Sequence, residues 1–201
     1  MKKFNEIVKR ILDFVLSLLG IIALSPFLII ISTAIKLDSK GKILFLQNRV
    51  GRYGEEFKIY KFRTMINNAE NIGTKITIGN DNRITRIGVF LRKYKIDELP
   101  QLLNVLKGDM SLVGPRPEVP MYVRFYNDEQ KKVLSVRPGI TDIASLRYRN
   151  ENDILGNVKN PEEYYINVIM KEKLELNLEY IKKSNIFLDI YLIIFTIIRC
   201  I

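Results

Sequence analysis

The sequence predicts a small, helix-rich α/β domain tied to a membrane surface by an N-terminal helix-break-helix and a C-terminal interfacial helix. Three observations predict it: an apolar run over residues 11–35, a shorter one near the C-terminus, and a glycine-punctuated stretch between them with strand-like and helix-like segments. The expected organisation is an anchor over 1–38, a soluble domain over 39–183 and a membrane-associated helix over 184–201. A chain of 201 residues holds one modest domain plus an anchor and can fold without disulfides.

The anchor reads ILDFVLSLLGIIALSPFLIIISTAI. As one straight helix it is long enough to cross the hydrocarbon core. Pro26 argues against that, because it removes a backbone donor and disfavours helical angles at Ser25. Lys2, Lys3, Lys9 and Arg10 precede the run, and Lys36, Lys40 and Lys42 follow it. The positive-inside tendency then asks both ends to stay on the cytoplasmic side, which a re-entrant hairpin broken at Ser25-Pro26 satisfies. A kinked spanning helix is the alternative. A cleaved signal peptide fits poorly, since the run is long and no small-residue cleavage site follows. Asp13 is expected to snorkel or to pair with Arg10.

Between the apolar ends, ILFLQNRVG and EFKIYKF alternate as short strands around a turn at Arg52, Tyr53 and Gly54. Residues 83–94, 100–106, 119–134 and 161–181 read as helices. VRPGITD reads as a tight turn centred on Pro138 and Gly139, of the type II kind. The last segment, with YLIIFTII, is too short to span and suited to the interface.

Composition narrows the chemistry. Histidine is absent, which removes Ser-His and Cys-His dyads and imidazole zinc sites. The single cysteine, Cys200, cannot form a disulfide within the chain. Carboxylates, Lys, Tyr, Ser and Thr must therefore do any acid-base or nucleophilic work. A formal charge of +10 asks for an anionic partner: nucleic acid, an anionic lipid surface or a phosphorylated substrate. No helix-turn-helix, RRM or OB signature is present, so nucleic acid is not expected.

In KIDELPQLLNVLKGDM, Pro100 suits the first turn of a helix and Gly108 its end. Asp97 and Glu98 then lie at or before the helix start, where Asp97 can be a plain N-cap. A helix start also binds phosphate, so the same carboxylates can share a divalent cation with an anion site. In GPRPEVP, flanking prolines hold Arg116 extended, either as a stiff turn or as a rigid guanidinium for bidentate phosphate capture. Arg137 either touches ligand or supports the fold, and Tyr148 with RYRNENDILGN reads as a loop beside a sugar pocket.

Taken together, NRVGRYGEEFKIYKFRTM, LRKYKIDELPQLLNVLKGDMSLVGPRPE, VRPGIT and the Ser25-Pro26 anchor resemble the bacterial sugar transferases, the monotopic polyprenyl-phosphate phosphoglycosyl transferases. The length resembles the minimal, PglC-like members built of anchor and catalytic core. The resemblance implies transfer of a sugar-1-phosphate from a UDP-sugar to undecaprenyl phosphate, with release of UMP, at the cytoplasmic face of the bacterial inner membrane. It implies that Asp97 is the nucleophile and the ligand of Mg2+, and that Glu98 serves the lipid phosphate. Arg116 would clamp phosphate, with Lys61, Arg63, Arg92, Glu118 and Arg137 around it. An anionic lipid bilayer and downstream glycosyltransferases are the implied partners. Thr64, where the family usually has Ser, and Asp142, where Gly is usual, are departures.

Overall fold

The structure is a computed structural model that describes residues 2–69 and 81–200. It begins with α1 (Lys2–Asp38), a single helix that runs through Pro26. The break expected at Ser25-Pro26 is thus corrected, and the reason is local. Proline at 26 leaves the Ile22 carbonyl without its usual donor, and the Ser25 hydroxyl donates to that oxygen at 2.8 Å. Glu6–Asp38 is long and apolar enough to cross a membrane, and Ile11, Leu19, Ile22 and Ile29 are exposed along it.

The other stripe of α1 packs on the domain. Asp13 is only 5% exposed and accepts from the Leu112 backbone N–H at 3.0 Å, so it neither snorkels nor pairs with Arg10. Arg10 instead donates to the Val105 and Leu106 carbonyls at 2.6 and 3.0 Å. Further along, Ile31 and Ile35 pack with Phe62 and Leu91.

A hairpin follows, with β1 (Leu44–Val50) antiparallel to β2 (Glu56–Phe62). Its turn holds Tyr53 at φ 61° and Gly54 at φ 84°, left-handed angles that glycine adopts without cost. Next come α2 (Arg86–Lys93), N-capped by the Thr85 hydroxyl, a 3₁₀ turn over Ile96–Gln101, and α3 (Leu102–Lys107). Gly108 ends α3 at φ 98°, as expected.

β3 (Ser111–Val113) pairs in parallel with β4 (Gly139–Thr141). Gly139 therefore opens a strand and does not sit in a left-handed turn, which corrects the type II expectation. Its glycine is required because the backbone of Gly114 crosses where a Cβ would stand. The helix expected over 119–134 also divides, into α4 (Pro120–Val123) and a 3₁₀ turn over Gln130–Ser135. Asn127 and Gln130 exchange side-chain to backbone hydrogen bonds, a capping box that starts a new turn.

The remaining elements are α5 (Ile143–Arg147), α6 (Glu151–Gly156), α7 (Pro161–Tyr164), α8 (Met170–Lys183) and α9 (Ile186–Cys200). A π-helical turn, Tyr165–Ile169, joins α7 to α8. Tyr122, Leu155, Ile169 and Leu174 form the main core. On α9, Leu192 packs with Val113 and Tyr180, while Phe187, Ile190, Ile194 and Ile197 are exposed. Asp189 locks it in place, accepting from Lys9 at 2.6 Å and from the Tyr180 hydroxyl at 2.5 Å.

Candidate active site

A cleft of about 2580 Å³ lies between one face of the hairpin, the 3₁₀ turn, the loop after β3 and the side of α8. Its floor is built by a reversal of the chain: Lys95 takes a left-handed φ of 56° after α2 and starts the 3₁₀ turn. Asp97 and Glu98 occupy the first turn, and Lys95 holds the cap position. Asp97 is therefore no N-cap.

The two carboxylates differ sharply in their partners. Asp97 is 8% exposed, and its Oδ1 is buried without a hydrogen-bond partner. Glu98 accepts from Lys61 Nζ at 3.0 Å and from both terminal nitrogens of Arg116, one at 3.0 Å. Burial, and then the charge of Glu98, push Asp97 above the usual carboxylate range, against the pull of Lys61, Lys95 and Arg92. Burial also acts to raise Glu98, but Arg116 and Lys61 outweigh it and hold Glu98 well below that range. Two adjacent carboxylates are thus pushed apart, which is how a site assigns different roles to like groups.

The sequence profile of bacterial sugar transferases matches residues 4–201. The chain belongs to the bacterial sugar transferase family. It is 40% identical over 197 residues to the UDP-N-acetylgalactosamine-undecaprenyl-phosphate N-acetylgalactosaminephosphotransferase of Aeromonas hydrophila, covering 96% of this chain and 43% of that protein. It is 35% identical over 204 residues to the UDP-glucose:undecaprenyl-phosphate glucose-1-phosphate transferase of Escherichia coli K12, covering 97% and 40%. The enzyme of that name from Caulobacter vibrioides is 36% identical over 192 residues, covering 94% and 68%. The chain therefore spans less than half the length of the first two relatives.

In this member of the family the expected site residues are brought together unequally. Lys61, Asp97, Glu98, Arg116, Glu118, Arg92 and Arg63 all line the cleft. Arg92 donates to the Thr64 hydroxyl at 2.8 Å, so Thr at 64 still supplies the hydroxyl that Ser would. Arg63 is engaged elsewhere: its terminal nitrogens donate to the Ile35, Ser39 and Lys40 carbonyls at the end of α1. Arg137 is not among the lining residues, and its Nε donates to the Gly108 carbonyl at 2.9 Å. That supports the α3 end, one of the two roles the sequence left open for Arg137. Asp142 is explained by capping: it accepts from the Ser145 N–H and hydroxyl, each at 2.7 Å. Tyr148 donates to Glu172, while Arg149 and Asn150 from the same stretch line the cleft.

Sequence reasoning missed Arg49 and Tyr165. Arg49 reaches Glu118 Oε1 at 3.3 Å, and the Tyr165 hydroxyl donates to the other Glu118 oxygen. A signal for Arg49 existed, since Gln47 and Arg49 alternate onto one hairpin face together with Lys61. Tyr165 carries no such signal, because the π-helical turn that aims it is invisible in the pattern.

Among the described residues no group of three or more His, Cys, Asp or Glu could hold a metal by itself. The donor chemistry nevertheless suits Mg2+, which is typically held by one or two carboxylates together with substrate phosphates. Asp97, which lines the cleft and has a buried Oδ1 without a hydrogen-bond partner, is the side chain present that fits.

Proposed function

We propose that this chain transfers a sugar-1-phosphate from a UDP-sugar to undecaprenyl phosphate, giving the polyprenyl-diphospho-sugar and UMP. The observation that carries the reading is the unpartnered, buried Oδ1 of Asp97 beside a carboxylate neutralised by Lys61 and Arg116. The relatives' names supply the donor and acceptor classes.

Asp97 attacks the sugar-proximal phosphorus, the bond from that phosphorus to the bridging oxygen breaks, and UMP leaves with the oxygen. The sugar phosphate stays on the carboxylate as an acyl phosphate. An oxygen of the lipid phosphate then attacks the same phosphorus and the Asp97 carboxylate is released. Lys61 and Arg116 attract the diphosphate in the first step. As its phosphates compete for these cations, Glu98 is freed to position or deprotonate the lipid phosphate. Bound Mg2+, held by Asp97 with phosphate oxygens, would supply further offset of the diphosphate charge.

The same reading places α1 as a re-entrant anchor on the cytoplasmic face of the inner membrane. Its support is that both halves of α1 rest on one domain, through Arg10, Asp13 and Gly20 on one side and Ile31 and Ile35 on the other. The helix between Gly20 and Leu28 rises only about 12 Å, well short of a hydrocarbon core of ~30 Å. The basic flanks face an anionic bilayer, and the lipid-linked product passes to downstream glycosyltransferases.

The test is to incubate the protein with a panel of UDP-sugars without lipid acceptor, quench, and measure intact mass and UMP. The expected result is a phospho-sugar adduct on Asp97 with matching UMP, discharged on adding undecaprenyl phosphate. No adduct, with kinetics that require both substrates bound together, would make direct displacement the mechanism and Asp97 a ligand.

A further inference from the structure

We infer that Arg49 is a further substrate-binding residue, the one that holds the phosphate of the departing nucleotide. This rests on the function proposed above and assigns the leaving-group side of the same cleft.

The first support is position. The hairpin register sets Lys61 opposite Phe45 and Arg49 opposite Phe57, so Lys61 and Arg49 lie on one face, separated along the strand by about 13 Å. Arg116 is near enough to both to act on their charge. Lys61 and Arg116 hold Glu98, the neighbour of Asp97, so the phosphate they capture is the one attacked. Arg49 is the next cation of this row, near Glu118. Arg49 holds the carbonyl of Pro117, the neighbour of Arg116, so a diphosphate whose first phosphate is gripped by Arg116 has its second phosphate on the Arg49 side.

The second support is that part of the bonding of Arg49 is to a neutral group an anion can displace. The Arg49 side chain is 17% exposed, yet among the described residues its only ion pair is the 3.3 Å contact to Glu118. That carboxylate is already served by the Val119 N–H at 2.9 Å and by the Tyr165 hydroxyl. Arg49 Nη1 also meets the Pro117 carbonyl at 3.1 Å. Its Nε and Nη2 both point at one neutral oxygen, Gln47 Oε1, at 3.2 and 2.8 Å. Nε with one terminal nitrogen is a fork that suits a pair of phosphate oxygens. Gln47 Oε1 occupies that position, and its uncharged amide can yield it to an anion.

The Pro117 contact means that Arg49 also braces the loop carrying Arg116, so the test must separate bracing from binding. Binding of UMP and of uridine is measured by calorimetry on the full chain in detergent, for wild type, Arg49→Gln, Arg49→Lys and Gln47→Ala. Phosphate binding predicts that Arg49→Gln loses at least tenfold in UMP affinity, keeps uridine affinity within twofold, and leaves Arg49→Lys in between. Gln47→Ala, which clears the fork, should hold or raise UMP affinity.

Unchanged UMP affinity in Arg49→Gln, or equal losses for UMP and uridine, would overturn the inference and make Arg49 a brace. Should Arg49→Gln fail to fold, the other two variants decide: Arg49→Lys at wild-type UMP affinity, or weakened UMP binding in Gln47→Ala, refutes it. Arg49-dependent UMP binding without any Asp97 adduct would leave this inference standing and remove the covalent mechanism alone. A wild-type chain that binds neither UMP nor UDP-sugars would overturn both.

Discussion

Asp97→Asn should abolish transfer and at the same time make the protein more stable. The wild-type carboxylate is buried with Oδ1 unpartnered, and an unsatisfied buried charge costs more than the ~1–3 kcal/mol of an unsatisfied neutral group, so an unpaired asparagine there recovers only that difference. Asparagine keeps the size and removes the charge. The gain is partly offset by lost attraction to Lys61, Lys95 and Arg92, leaving a net of about 1 kcal/mol. For a chain of this size that is a rise in Tm of about 2–4 °C.

The pH dependence has a definite sign. The folded pKa of Asp97 is raised, by burial first and by Glu98 second, so protonation favours the folded state. That contribution is full below the unfolded value of ~3.9 and is lost as pH rises through the folded pKa. The advantage of asparagine is therefore largest near neutral pH, shrinks as pH falls through the folded pKa, and closes below the unfolded one. Scanning fluorimetry in one detergent, without divalent metal, between pH 4 and 8 measures it. A variant less stable than wild type at neutral pH, or a gap that does not change with pH, would refute the reasoning.

Arg116→Lys should lower kcat/KM for UMP release by more than about tenfold, because an ammonium cannot make both contacts now made to Glu98; turnover near wild type would favour a turn-support role. Asp142→Gly, which restores the residue usual in the family, should cost only a few tenths of a kcal/mol through loss of the α5 cap, because glycine is itself tolerated at a cap position, read as a slightly lower Tm with kcat unchanged. Cysteines introduced as Lys3→Cys and Lys40→Cys, with Cys200 replaced, should both resist an impermeant reagent added to intact cells. Labelling of either from outside would exclude the re-entrant anchor.

Much of the fold is legible in the sequence where the signal is local. The hairpin follows from alternation in LFLQNRV and EFKIYKF, and the end of α3 from Gly108. Errors fall where a side chain competes with the backbone or where distant chain segments meet. Ser25 repairs the carbonyl that Pro26 orphans, so a residue read as part of a break keeps the helix intact. Asn127 and Gln130 cap each other and divide a helix that periodicity alone continues. Gly139 resembles a turn glycine because it stands after proline, but it is needed for its close approach to Gly114.

The sequence by itself determined the chemistry that could be performed and the segments that could perform it. Without histidine, and with a basic excess around DELPQ and GPRPE, it left a carboxylate pair among cations as the groups able to act, and the apolar ends pointed to a membrane surface. Tertiary structure alone decided which charges meet. Arg63 and Arg137 look alike in a linear reading, yet in the folded chain they donate to carbonyls near the ends of α1 and α3, Arg63 while still lining the cleft. Arg49, one strand residue among others, is carried into the cleft beside Glu118. The reason is physical: propensity and periodicity act over a few residues, whereas burial and pairing of a charge depend on groups distant along the chain. Arg116 lies 18 residues and Lys61 37 residues from Glu98, and these contacts give two adjacent carboxylates different surroundings.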